Sequence, residues 1–164
     1  MASRGHPSST TWRCYTEGYP RGCFLDKVKG LNVRKHVPFE RFFDDVAAGT
    51  LPTYSFLVPD MNNGGHDKGL KHADAWATRV LGPLLGDPAF VKGTLLVVTF
   101  DEGNIHQADN HIYCAFWGES VVPGAKVTER VDHYGLLRTV ESLFGLPTLT
   151  SKDASAKPIT GIWS

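Results

Sequence analysis

The sequence predicts an α/β protein, and three observations predict it. Short apolar runs at 54–58, 94–100 and 111–117 read as strands. Segments 72–85 and 133–144 carry apolar residues at helical spacing and fall between and after those runs. His and carboxylate residues collect in the turns that follow the runs, where an open α/β sheet places its chemistry. Helices alternating with buried strands argue one sheet with helices on both faces.

Each element has its own local reason. Residues 1–30 are rich in Ser, Thr, Gly and Pro and show no period. Residues 38–48 read as a helix with Pro38 at its first position, Phe39, Phe42, Phe43 and Val46 inward, and Gly49 as the stop. Residues 54–58 form a short buried strand ended by Pro59. A Gly/Asn-rich loop leads to the helix at 72–85, whose inward face is Ala73, Trp76, Val80, Leu81 and Leu84. Gly86-Asp87-Pro88 ends it, and 89–91 adds a short turn. Leu95 to Val98 is a continuous apolar run, expected where both faces of a strand are covered. Residues 105–110 form a polar loop, 111–117 the next strand and 121–124 a turn. The helix at 133–144 points Leu136, Leu137, Val140 and Leu143 inward; Gly145 caps it and Pro147 stops it. Residues 148–164 are polar and are expected to wrap the surface.

A chain of 164 residues suits a single domain, 1–164, with a sizeable core. Seventeen Lys and Arg balance seventeen Asp and Glu, so no global charge draws it to nucleic acid or an anionic membrane. The aromatics are not interleaved with a basic stripe, which argues against nucleic acid as a partner. No apolar run is long enough to span a bilayer, and residues 1–11 lack the apolar stretch of a secretory signal. Of three cysteines, Cys14 and Cys23 can pair or stay free, and Cys114 reads as a buried thiol.

Four groups of residues can carry chemistry. Asp101 and Glu102 directly follow the strongest strand. Adjacent acids are costly to bury without positive charge, and carboxylate oxygens suit a hard divalent metal; a solvated acidic turn is the alternative. His66-Asp67 ends a loop with two preceding glycines, which allow backbone to approach a ligand. It is either an acid/base or phosphate-holding pair or a loop histidine in solvent. Asp132-His133 opens a helix, whose N-terminus favours an anion, although Asp132 can simply cap it. His106, Asp109 and His111 are metal-ligating types without the spacing of a closed site. His36 reads as structural. P-loop, dinucleotide-fold, serine-elbow and zincin signatures are all missing from the sequence.

The ordered set of motifs resembles the phosphoesterase family that contains acid phosphatases and bacterial phospholipases C, related to the alkaline phosphatase superfamily. The residues that carry the resemblance are Trp12-Arg13-Cys14-Tyr15-Thr16-Glu17 with Tyr19-Pro20, and Lys35-His36-Val37-Pro38-Phe39, with Val37 where the family usually has Asn. They continue with Ser55 to His66-Asp67, Val98 to Glu102, and 133–147. The resemblance implies a partial alkaline-phosphatase-like sheet and metal-assisted hydrolysis of phosphate esters through a covalent Ser or Thr intermediate. Carried over by position, Asp101 and Glu102 would be metal ligands for a divalent ion of unassigned identity. His66 and His133 would be catalytic, and His66, Asp67 and His133 would bind substrate.

The family's upstream acidic-Asn segment and its nucleophile have no counterpart here, so the chain is expected to be the C-terminal part of the family domain. His6-Pro7-Ser8 is similar to the nucleophile region of fungal members but lies too close to Trp12, and Ser8 is only a weak nucleophile candidate. The expected substrate is a phosphomonoester or a phospholipid head group. A phospholipase C-like phosphodiesterase and a non-catalytic remnant that binds an anion, metal or partner are the alternatives. An incomplete sheet is expected to expose an apolar edge prone to self-association. Family members of full length are expected outside the cytoplasm, extracellular or periplasmic.

Overall fold

The computed structural model describes residues 10–19, 35–103 and 108–164. It is an α/β fold in two compact units, Met1–Gly86 and Asp87–Ser164. Cys23, His106, Ser8 and the rest of 1–30 beyond residues 10–19 lie outside the described residues.

The first unit is built on a three-stranded parallel sheet, β1 (Trp12–Thr16), β2 (His36–Pro38) and β3 (Tyr54–Val58), in the order β2-β1-β3. Trp12 pairs with Tyr54 and Thr16 with Val58, so the C-terminal ends of β1 and β3 are level. Helix α1 (Arg41–Ala47) follows β2, and α2 (Leu70–Leu85) follows β3. The core is aromatic. Tyr15 meets Phe42 edge-on at 5.4 Å between ring centroids, and Phe39 lies 5.5 Å from Trp76.

Three expectations are corrected in this unit. Pro38 ends β2 instead of opening a helix; it has no N–H to give a ladder, and it sits at the end of an edge strand. The helix starts three residues later, at Arg41. Phe43, expected inward, is 42% exposed. Helix α2 starts at Leu70, two residues before the expected His72, with Trp76 and Val80 buried as expected.

One buried carboxylate ties the first unit together. Asp45, 1% exposed, accepts hydrogen bonds from Arg13, from the Tyr15 hydroxyl at 2.7 Å, from Arg41 Nε at 3.0 Å and from Thr50 Oγ1 at 3.2 Å. Arg13 and Tyr15 come from one face of β1, so this carboxylate fastens α1 to the sheet.

The second unit holds α3 (Pro88–Val91), an antiparallel pair β4 (Leu95–Thr99) and β5 (Cys114–Gly118), then α4 (His133–Phe144) and α5 (Ser151–Ser155). Leu95 to Val98, which alternate between the two faces of β4, are half-buried instead of fully covered as expected. Cys114 is exposed, which corrects the buried thiol, and Cys14 is the buried one, with a free thiol that burial pushes up in pKa. Gly118 is required by space, since a Cβ there would lie 2.6 Å from the Thr94 carbonyl oxygen. Gly118→Ala is therefore expected to separate the two strands locally and lower the melting temperature, which circular dichroism would show.

Most of residues 148–164 are exposed, as expected of a surface segment, but two of its apolar residues reach the interior. Ile159 and Ile162 are 6% and 4% exposed, and Trp163 packs edge-on against Phe116 at 5.7 Å. Val122 N–H bonds the Ile162 carbonyl, and Ile159 N–H bonds Thr139 Oγ1 on α4, both at 2.8 Å. The bond to Ile159 accounts for the burial of Thr139; α4 also buries Gly135 and Glu141, while Leu143, expected inward, is 53% exposed. Replacing Ile159 with Ala should cost about 2–5 kcal/mol, the range for large-to-small changes in a core. Urea unfolding followed by near-ultraviolet circular dichroism measures it.

Helix α5 is held by a capping box between Thr150 and Asp153. The Thr150 hydroxyl, opposed by burial and helped by the Leu149 N–H at 2.7 Å, holds the Asp153 carboxyl down to about 2. A lowered pKa gives stability that is complete above the unfolded value of 3.8 and is lost as pH falls toward 2. Asp153→Asn should flatten that acid limb in a melting-temperature-against-pH series.

Candidate active site

The C-terminal ends of β1 and β3 carry the first cluster. Glu17 follows β1 directly, and its N–H extends the ladder to the Val58 carbonyl at 3.0 Å. Pro59-Asp60 follows β3. Asp60 Oδ1 accepts the N–H groups of Asn62 and Asn63 at 2.9 and 2.8 Å, a local turn that Asp favours. The loop then closes on itself. Gly64 N–H bonds the Asp60 carbonyl at 2.7 Å, and Asp67 N–H bonds the Met61 carbonyl at 2.9 Å. Gly65, at φ 91, supplies the backbone shape that the turn to His66 needs.

His66 Nδ1 lies 2.8 Å from Asp67 Oδ1. An ionised carboxylate only accepts, so Nδ1 carries the hydrogen and Nε2 is the nitrogen left to act. The His66 side chain is 67% exposed, and this nitrogen is open to a ligand.

Glu17 binds this loop from the other side. Its Oε2 accepts from the Asp60 N–H at 2.9 Å and from Asn63 Nδ2 at 2.8 Å, and its Oε1 accepts from Trp76 Nε1 at 2.9 Å. Asn63 Oδ1 lies 3.1 Å from His72 Nε2. Because the Asn63 amide nitrogen is given to Glu17, its oxygen faces His72, whose Nε2 then carries the hydrogen. His72 and Trp76 stand one turn apart on α2; His72 reaches the loop at Asn63, and Trp76 reaches Glu17.

The second cluster lies in the second unit. Asp132 caps α4 by accepting the Gly135 N–H at 3.0 Å. That positions His133, whose Nε2 lies 2.7 Å from the Asp101 carbonyl oxygen. A carbonyl only accepts, so Nε2 donates and Nδ1 is the free nitrogen. The structure thus brings His133 to the end of β4, as the placement of both groups after apolar runs implied. Asp101 and Glu102 are exposed, and Asp101 Oδ1 accepts the Glu102 N–H at 2.9 Å.

Two carboxylates are a fraction of the six or more oxygens that a hard cation takes. Among the described residues no three His, Cys, Asp or Glu side chains converge to hold a metal. These residues fit one side of a metal shell and do not complete it. Asp109 accepts the His111 N–H at 3.4 Å, and both residues are exposed.

His36 is structural, as read. It is 4% exposed, with Nε2 2.7 Å from Thr16 Oγ1. Sequence reasoning missed Asn63, His72 and Trp76 as parts of the loop's support, and gave Glu17 no role beyond a motif position. No apolar run announced β1, which carries Arg13 and Thr16, so its following acid was not legible as a strand end.

Comparison with known proteins places these elements. Residues 6–147 match the phosphoesterase family. A probable acid phosphatase of Kluyveromyces lactis is 37% identical over 122 residues, which cover 72% of this chain and 29% of that protein. The phosphatidylinositol-3-phosphatase of Mycobacterium tuberculosis is 39% identical over 127 residues, 77% of this chain and 41% of that protein. An acid phosphatase of Aspergillus niger is 33% identical over 129 residues, 77% and 31% respectively. The chain therefore spans less than half the length of these curated relatives. No helix among the described residues is long and apolar enough to cross a membrane.

Proposed function

This chain belongs to the phosphoesterase family, and on that premise we propose that it carries part of the active site of a hydrolase of phosphate monoesters, acid phosphatase-like in its reaction. The observation that carries the reading is the His66–Asp67 pair, held at the C-terminal end of a parallel sheet with one ring nitrogen fixed and the other open.

In this reading His66 Nε2 meets a phosphoryl oxygen or passes a proton to the leaving group. Asp67 acts through His66, fixing its tautomer and favouring the imidazolium that forms. His133 offers Nδ1, since its Nε2 is given to the Asp101 carbonyl. Asp101 and Glu102 would supply carboxylate oxygens to a divalent ion whose other ligands come from outside the described residues. Bound there, such an ion would neutralise negative charge on a phosphoryl group held by the second unit. The attacking hydroxyl is not assigned.

The likeness to a phosphatidylinositol phosphatase supports a second reading, in which the monoester sits on a lipid head group. One experiment serves both. Hydrolysis of a chromogenic phosphomonoester and of a phosphoinositide monophosphate is followed with and without added divalent metal, beside the Asp101→Ala/Glu102→Ala double variant. Metal-dependent turnover that disappears in the double variant supports the proposal, and the preferred substrate separates the two readings. A folded chain that turns over neither substrate at any metal concentration would sink it for this chain and favour a remnant that only binds.

A further inference from the structure

We infer that Glu17 is a positioning residue for His66, and that it works because a carboxylate is the one side chain of its size that only accepts hydrogen bonds. The consequence for catalysis rests on the proposed hydrolase reading; the positioning itself does not.

All three groups that meet Glu17 donate: the Asp60 backbone N–H, Asn63 Nδ2 and the Trp76 indole N–H. They come from the start of the loop, its middle, and the facing helix. Glu17 itself stands at the end of β1, whose register with β3 is set by the sheet. One half-buried carboxylate therefore joins strand, loop and helix.

His66 needs that support. Its ring is mostly exposed and is held by its own backbone and by Asp67, itself 52% exposed. The direction of Nε2 therefore depends on the loop backbone. Its path from Asp60 to Asp67 is clipped by the bonds to the Asp60 and Met61 carbonyls. It is also crowded, because a Cβ at Gly64 would stand 3.0 Å from the Asp60 carbonyl oxygen. Loosening Asp60 and Asn63 frees the whole clip. Proton transfer and anion contact are sensitive to such displacements.

Glu17→Ala is the diagnostic change. It removes the acceptor of all three N–H groups and brings no donor of its own. In the full chain, hydrogen exchange at the amides of 60–67 should accelerate about 10- to 100-fold, the size of one lost hydrogen bond to a charged group. Amides of the β1–β3 ladder should keep their protection. Nitrogen-15 spectra of the His66 ring should change from the Nδ1–H form to a mixture of tautomers. Where the chain turns over a phosphomonoester, kcat should fall with little change in KM.

Unchanged exchange and ring spectra in Glu17→Ala would overturn the inference, as would acceleration spread evenly over sheet and loop. If that variant does not fold, Asn63→Ala, which removes one donor of three, should give the same local pattern at smaller amplitude, and its absence would equally overturn it. Exchange and ring spectra are read without turnover, so failure of the hydrolase reading leaves this test intact.

Discussion

Asp45→Ala is expected to remove about 1–3 kcal/mol of stability from the first unit, the cost of leaving buried donors without their acceptor. The size follows from what is left behind. Arg13 and the Tyr15 hydroxyl lose their acceptor beneath α1, and Arg41 and Thr50 lose theirs at its rim. Asp45→Asn should fall between the variant and the parent, since it keeps one acceptor oxygen and loses the charge. Urea denaturation of both variants gives the numbers; a loss under about 1 kcal/mol, the size of an exposed pair, would contradict the account.

The same carboxylate sets a pH signature. Burial alone would raise the Asp45 pKa, but hydrogen bonds from Tyr15, Arg13 and Arg41 outweigh it and leave it lowered. A lowered pKa means stability that is complete above 3.8, the unfolded value, and lost as pH falls through the folded one. Tyr15 moves the other way, pushed up to about 12 by burial and by its bond to Asp45. Its stabilising share is complete below 10 and lost as pH rises toward 12. The parent should weaken at both extremes, and Asp45→Ala should make both limbs shallower, leaving the Asp153 share on the acid side and the share due to Tyr15 burial on the alkaline side.

The second large effect is on rate. His66→Ala and His133→Ala are each expected to lower kcat/KM on a phosphomonoester by about 10²- to 10⁴-fold, the usual contribution of a positioned acid or base. His66→Ala should leave the melting temperature unchanged, because the ring is exposed and bonds only to a neighbouring residue. His133→Ala also frees the Asp101 carbonyl, so a small loss of order at 100–103 should accompany it. Steady-state kinetics beside thermal melts separate the two contributions. Full activity in either variant would remove that histidine from the mechanism.

Much of the fold and part of the site were legible in the sequence, because they depend on local chemistry. The run 54–58, the Gly145 stop at φ 64 and the Asp132 cap follow from side-chain type and backbone preference over a few residues. So does the placing of acids and histidines in turns after apolar runs, which put forward His66, Asp67, Asp101, Glu102 and His133 as candidates. Only the tertiary structure decided which nitrogen each histidine keeps free, because that depends on a partner, Asp67 in one case and the Asp101 carbonyl in the other. It also decided that Pro38 ends a strand, that Thr139 and Glu141 turn inward in place of Leu143, and that Ile159 and Ile162 join the core. Apolar spacing describes how one segment divides its surface. Burial depends on which distant segment arrives to cover it, and on whether that segment brings an N–H that a threonine can satisfy.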